Sequence, residues 1–144
     1  MSPTIIVGVD NSATAAAAAD RAAVLATALG ADLHVVTAFG REEVETVEIG
    51  HERFVLSSAD EATQLTESVA ARLSVEHPGL RLHTAALEGR AAAAITDHAG
   101  AIGADLIVIG NKRVQGPARV LGSIATAVLH KAPCDVYVAH THDN

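Results

Sequence analysis

The sequence predicts an α/β protein built on one open, doubly wound parallel sheet, with five strands in the order 3-2-1-4-5 along the sheet and helices on both faces. Two observations carry this expectation. Five short apolar runs alternate with longer stretches of helical character, and that alternation marks parallel α/β architecture. Crossovers between parallel strands are right-handed almost without exception, so a chain that winds one way from its first strand and reverses at the fourth yields this order. The reversal opens a crevice between the C-terminal ends of strands 1 and 4, where such Rossmann-like sheets bind ligands.

The strands are expected at residues 4–9 (TIIVGV), 32–39 (DLHVVTAF), 80–87 (LRLHTAAL), 105–110 (DLIVIG) and 135–140 (DVYVAH). After the first, Ser12 can cap an Ala-rich helix that runs to Leu29, with Gly30 placed as its C-terminal stop. Alanine gives that helix high propensity and lets it lie close to a sheet. Residues 40–54 carry a run of glutamates without a clear apolar period and read as an exposed connection. From Leu56 onward, Leu65, Val69 and Leu73 share a face of the second helix. The third helix is expected from about Arg90 to about Gly100, with Gly103 in the following turn. The fourth is expected from Ser123, as its cap, to about Lys131, before Pro133.

With 49% hydrophobic residues, 144 residues suffice for one domain with a packed core. Phe39, Phe54 and Tyr137 are the only aromatic residues, so stacking platforms for single-stranded nucleic acid are nearly absent. The net charge of −7 also opposes a polyanionic partner, and no nucleic acid is expected. Cys134 is the sole cysteine, which excludes an intrachain disulfide and a site of several thiolates. No signal-peptide pattern opens the chain and no uninterrupted apolar stretch has spanning length, so a soluble, cytoplasmic protein without membrane contact is expected.

One stretch departs from the acidic background. Residues 110–123, GNKRVQGPARVLGS, hold three glycines and three basic residues and no acid. Lys112, Arg113, Arg119 and Lys131 all fall within 106–134, which lacks Asp and Glu altogether. Gly110 and Gly116 permit backbone turns, and Gly122 before Ser123 lets a bulky group approach the free N–H groups of the helix that starts there. Those donors and the helix dipole suit a phosphate. Glycines that merely serve turns, with basic side chains in water, are the competing reading. Neither G-x-G-x-x-G after strand 1 nor G-x-x-x-x-G-K-[ST] is present.

The opening IIVGVD, the GADLIVIGN around strand 4, the glycine loop ending in GS and the closing APCDVYVAHT together resemble the universal stress protein family, in order and over residues 1–144. The resemblance implies an adenine-nucleotide-binding stress sensor or regulator. Its ATP-binding members carry G-x2-G-x9-G-[ST] after strand 4. Here Gly110, Gly122 and Ser123 match, while Arg113 stands at the second glycine with eight residues between it and Gly122. The Arg113 side chain either blocks phosphates or reaches them as a donor.

By the same resemblance Val9 and Asp10 lie beside the adenosine, Ala38 lines the base pocket and Gly89 sits near the ribose. Backbone donors of Gly122, Ser123 and Ile124, helped by Lys112 or Arg113, would hold phosphate. The implied cofactor is ATP or another adenine nucleotide, with or without Mg, and the implied partner is a second copy joined through strand 135–140. Asp10 has an alternative role, bonding backbone N–H groups of the VDNS turn.

A nucleotide-free dimeric interaction module that recruits a protein through the acidic 40–54 segment is the rival reading. No catalytic constellation is evident: Ser123 lacks a nucleophile-elbow context, and Glu88 and Asp97 read as a loop and a helix surface. Slow ATP hydrolysis stays open. His140, His142 and Asp143 form H-x-H-D, but terminal placement argues against a metal site. His34 and His83 fall in strands and read as solvent-facing or locally satisfied.

Overall fold

A computed structural model describes residues 2–40, 44–49, 52–112 and 121–141, with 44–49, 52–57 and Lys112 described by backbone alone. Along the chain run β1 (Thr4–Gly8), α1 (Ala13–Leu29), β2 (Asp32–Phe39), β3 (Val44–Ile49), β4 (Glu52–Ser57), α2 (Ser58–Glu76), β5 (Leu82–Glu88), α3 (Ala91–Ile102), β6 (Leu106–Lys112), α4 (Ser123–Lys131) and β7 (Asp135–Thr141). The main sheet is parallel throughout, in the order β5-β2-β1-β6-β7. Counting only its five strands along the chain, that is the expected 3-2-1-4-5.

β1 shows why both faces must be covered. Ile5, Val7 and Val9 point to one side, where they meet the alanines of α1 and, through Leu73, α2. Ile6 points to the other, among Val36, Ile95, Ile107 and Val128 of the α3 and α4 layer. A strand buried on both faces reads as a continuous apolar run, which is how β1 could be found in the sequence. The side chain of α1 nearest the sheet is alanine at every turn: Ala15, Ala18, Ala19, Ala22, Ala23 and Ala26 are all buried. Small side chains on that stripe set a short distance between helix axis and sheet. Gly110 completes the fit, because a Cβ there would lie 2.9 Å from the Thr14 carbonyl oxygen.

Several boundaries differ from expectation for physical reasons. Residues 44–57 are not a plain connection; β3 and β4 form an antiparallel two-stranded sheet whose register sets Glu48 opposite Arg53. The glutamates mask a stretch rich in Val, Thr and Ile, residue types that favour strands. α3 continues through Gly100, since one glycine inside a helix costs only about 1 kcal/mol, and stops at Gly103, whose φ of 66° is the left-handed conformation glycine adopts freely. α1 behaves as expected, with the Ser12 side chain accepting from the Ala15 N–H at 3.1 Å and Gly30 at φ 65° closing it.

Two glycine roles are also corrected. Gly110 is no turn residue but lies within β6, paired with Ala139; its value is the close approach of α1. The cap of α4 is Gly122, and Ser123 is the first residue inside the helix. Gly116 lies outside the described residues. Among the described residues no helix is long and apolar enough to cross a membrane.

Candidate functional site

All five parallel strands end on the same side of the sheet, and the loops there come from β1, β2, β5 and β6. β1 and β6 are neighbours whose following helices, α1 and α4, pack on opposite faces. That divergence is the topological switch point, and ligands of such folds enter beside it.

A cavity of about 270 Å³ opens at this end. One wall is the turn after β1, with Asp10 and Asn11. The floor is the end of β2 from Thr37 to Gly40, and the far wall is the first two turns of α2, with Ser58, Glu61, Ala62 and Leu65. Of the two roles that the sequence left as alternatives for Asp10, the turn bond is formed. The Asp10 Oδ1 accepts from the Ser12 N–H at 2.7 Å, which orders the entrance to α1, and the residue also faces the cavity. Ala38 lies in the floor, where its small side chain leaves room for a flat ring.

Val9 is buried, and its N–H donates to the Val36 carbonyl at 2.8 Å, so it supports the floor from behind. Gly89 follows β5 with φ 125°, and its N–H donates to Phe39 O at 2.9 Å. The bond ties the β5 loop to the cavity rim, and the backbone angle explains the glycine.

The residues that the sequence assigned to phosphate lie around the start of α4 and the end of β6. Gly122 caps the helix with φ −64° and supplies no side-chain acceptor to the first N–H groups of α4. Ser123 and Ile124 stand in its first turn, and Ile124 is exposed. Lys112 ends β6; Arg113 and Arg119 lie outside the described residues. Lys131 does not join them: it occupies the last turn of α4 with His130, roughly 12 Å along the axis from the first turn at 1.5 Å per residue. There both favour the negative end of the helix dipole.

Asn111 is the residue that sequence reasoning missed. It is buried next to the end of β6, and its Oδ1 accepts from the Gly122 N–H at 2.7 Å. Its own carbonyl receives the Thr141 hydroxyl of β7 at 3.5 Å. Asn111 therefore pins the start of α4 to the sheet across eleven positions of chain. A buried amide at the end of an apolar strand was the available signal.

Asp97 and Glu88 do not enter the cavity's described lining. Asp97 instead faces a second, wider depression of about 550 Å³ between α3 and the C-terminal end of α4, together with Lys131. Cys134 is half-buried against the α3 and α4 layer. Burial first, then Asp135 and Asp105, pushes its thiol above the ordinary range, which lowers its thiolate fraction.

Residues 1–140 match the model of the universal stress protein family. The chain belongs to the universal stress protein family. Universal stress protein A homolog 1 of Coxiella burnetii (strain RSA 493 / Nine Mile phase I) is 34% identical over 139 residues, 92% of each chain. Solved universal stress proteins share the fold. One in complex with cAMP superposes with a TM-score of 0.68 at 23% identity, covering 97% of this chain and 98% of its own. Another, from Archaeoglobus fulgidus in complex with dAMP, gives 0.64 at 23% identity over 96% and 97%. In this universal stress protein the end of β6, the start of α4 and the Asp10 cavity stand on the same edge of the sheet.

Proposed function

We propose that this universal stress protein binds an adenine nucleotide across the C-terminal edge of its sheet and acts as a sensor or regulator in the cytoplasm. The observation that carries the reading is the alignment of three features along one edge: a cavity floored by Ala38 and flanked by Asp10, the Gly89 turn tied to its rim, and the N-terminus of α4, whose cap Gly122 carries no side-chain acceptor. Relatives of the same fold in complex with cAMP and dAMP support an adenine nucleotide as the ligand class.

In this arrangement the base rests on Ala38 and is packed by Leu65. Asp10 accepts from ribose hydroxyls through Oδ2, its Oδ1 being engaged by Ser12. The N–H groups of Gly122, Ser123 and Ile124 serve the phosphate end, where a negative charge is favoured by the helix dipole. Asn111 already takes the Gly122 N–H, so phosphate falls chiefly to Ser123 and Ile124. Lys112 or Arg113 adds a cationic donor, and Mg accompanies a triphosphate.

The test is calorimetric titration of nucleotide-stripped protein with ATP, AMP and cAMP, with and without magnesium, beside the Gly122→Asp variant. A Cβ at position 122 meets Asn111 Oδ1 at 3.4 Å, an ordinary contact, so the variant folds. It should nevertheless lose at least ten-fold in affinity, because a carboxylate replaces the space and charge that phosphate needs. Equal affinity in the variant refutes the phosphate assignment. No heat with any nucleotide refutes the reading and favours the protein-recruiting module, whose acidic segment includes the paired strands β3 and β4.

A further inference from the structure

His34 and His83 are register partners on β2 and β5. Their rings stack with centroids 4.4 Å apart and planes inclined by 17°. From α3, His98 meets His34 edge-on at 6.4 Å. Three imidazoles thus join two strands to the helix that covers them.

Their surroundings differ. The His83 side chain is 48% exposed, and its Nε2 lies 3.1 Å from Oδ2 of Asp32, whose Oδ1 is held by Arg81. Nε2 of His98 is buried and has no hydrogen-bond partner among the described residues. His34 lies between the two rings. Burial first, then the charges that His83 and His98 would carry, holds its pKa below the ordinary imidazole value, with Asp32 opposing from its own strand. These groups, together with Arg81 acting through Asp32, are the charges that face His34 from β2, β5 and α3. Among the described residues no His, Cys, Asp or Glu cluster has the geometry to hold a metal ion; stacked rings present faces to one another instead of converging lone pairs. A proton is the ligand left for the cluster to bind.

We propose that His34, His83 and His98 form an acid-responsive latch, which holds α3 on the β2–β5 edge while the rings are neutral and loosens it as they take up protons. Neutral imidazoles stack without repulsion. Asp32 can balance one added charge, at His83, but a second imidazolium at 4.4 Å repels the first, and the buried His98 nitrogen offers a new proton no acceptor. The direction follows from linkage. A folded state that resists protonating His34 binds fewer protons than the unfolded chain, so stability is complete above the ordinary value of 6.5 and is lost as pH falls below it. α3 follows directly on the Gly89–Arg90 turn, and Gly89 is bonded to Phe39 at the cavity rim, so its loosening reaches the cleft.

Thermal unfolding from pH 8 to 5, ring-proton NMR titration and amide exchange corrected for intrinsic rates test the latch on the whole chain. In the parent protein Tm falls between pH 7 and 5.5, and α3 amides lose protection ahead of those of β1. His98→Leu flattens the fall, and His83→Asn moves the His34 midpoint up toward the ordinary value. Should His98→Leu fail to fold, the exposed His83→Asn substitution decides alone. A Tm profile in His83→Asn that superimposes on the parent's, or a His34 ring that titrates at the ordinary value in the parent protein, overturns the proposal.

Discussion

Asn111 shows how one side chain sets the geometry of a site it need not touch. Its amide oxygen holds the Gly122 N–H at 2.7 Å from a position only 5% exposed. Removing it in Asn111→Ala deletes the hydrogen bond to Gly122 and opens a small void, at a cost of about 1–2 kcal/mol or more. The expected outcome in a thermal melt is a Tm lower by several degrees, with nucleotide affinity reduced in parallel as the start of α4 loses its tether. Asn111→Asp separates the two effects. The carboxylate still accepts from Gly122 but buries a charge and lowers Tm as well, so the ligand series does the separating: affinity should fall more for ATP than for AMP if the added charge faces phosphate. Uniform loss across ligands would argue that residue 111 sits away from the phosphate end. The strands that bring Asp10 and Ala38 to the cavity were legible as apolar runs. The role of Asn111 was not legible, since its partner is eleven positions away and only folding brings the two together.

Among the elements, α1 and the β3–β4 hairpin mark opposite limits of legibility. Ser12, the Ala run and Gly30 are local signals, and each does in the structure what its chemistry dictates. The hairpin depends on pairing between two short segments that mix charged and apolar residues, and nothing local announces that pairing. α1 also yields a sharp prediction. Ala22 is fully buried on the stripe that meets the sheet, and Gly110 opposite has no room even for a methyl group beside Thr14 and Ala18. Ala22→Leu forces the helix outward and should destabilise the fold by about 1–3 kcal/mol, read as a lower urea midpoint. The equally apolar exposed position Val24 on the same helix tolerates Val24→Leu without a measurable change. Equal effects at both positions would show that helix propensity, not the spacing between α1 and the sheet, governs this layer.

At the scale of the whole molecule, the sheet order was legible because crossover handedness leaves few ways to thread five parallel strands. What such reasoning leaves open is the fate of the two sheet edges. β5 and β7 each pair with a single neighbour in the main sheet, and unpaired edges invite further strands. The β5 edge is bounded by Arg81 and Glu88 and exposes His83 and Thr84, polar features that discourage pairing. β7 runs Val136, Tyr137, Val138 and Ala139 through its centre, where the Tyr137 hydroxyl accepts from Arg21 at 2.7 Å. If a second copy adds to β7 about a two-fold axis, the outward row of β7 amides gains partners and that of β5 does not. Hydrogen exchange at high protein concentration should then protect alternate residues from Asp135 to Thr141 on both sides of the strand. β5 should be protected only on its β2 side. Dilution that lowers the sedimenting mass from twice 14.7 kDa to the single-chain value should strip protection from β7 alone. Rapid exchange of the outward β7 amides at every concentration, with a single-chain mass throughout, would eliminate that dimer and leave β7 a tolerated edge.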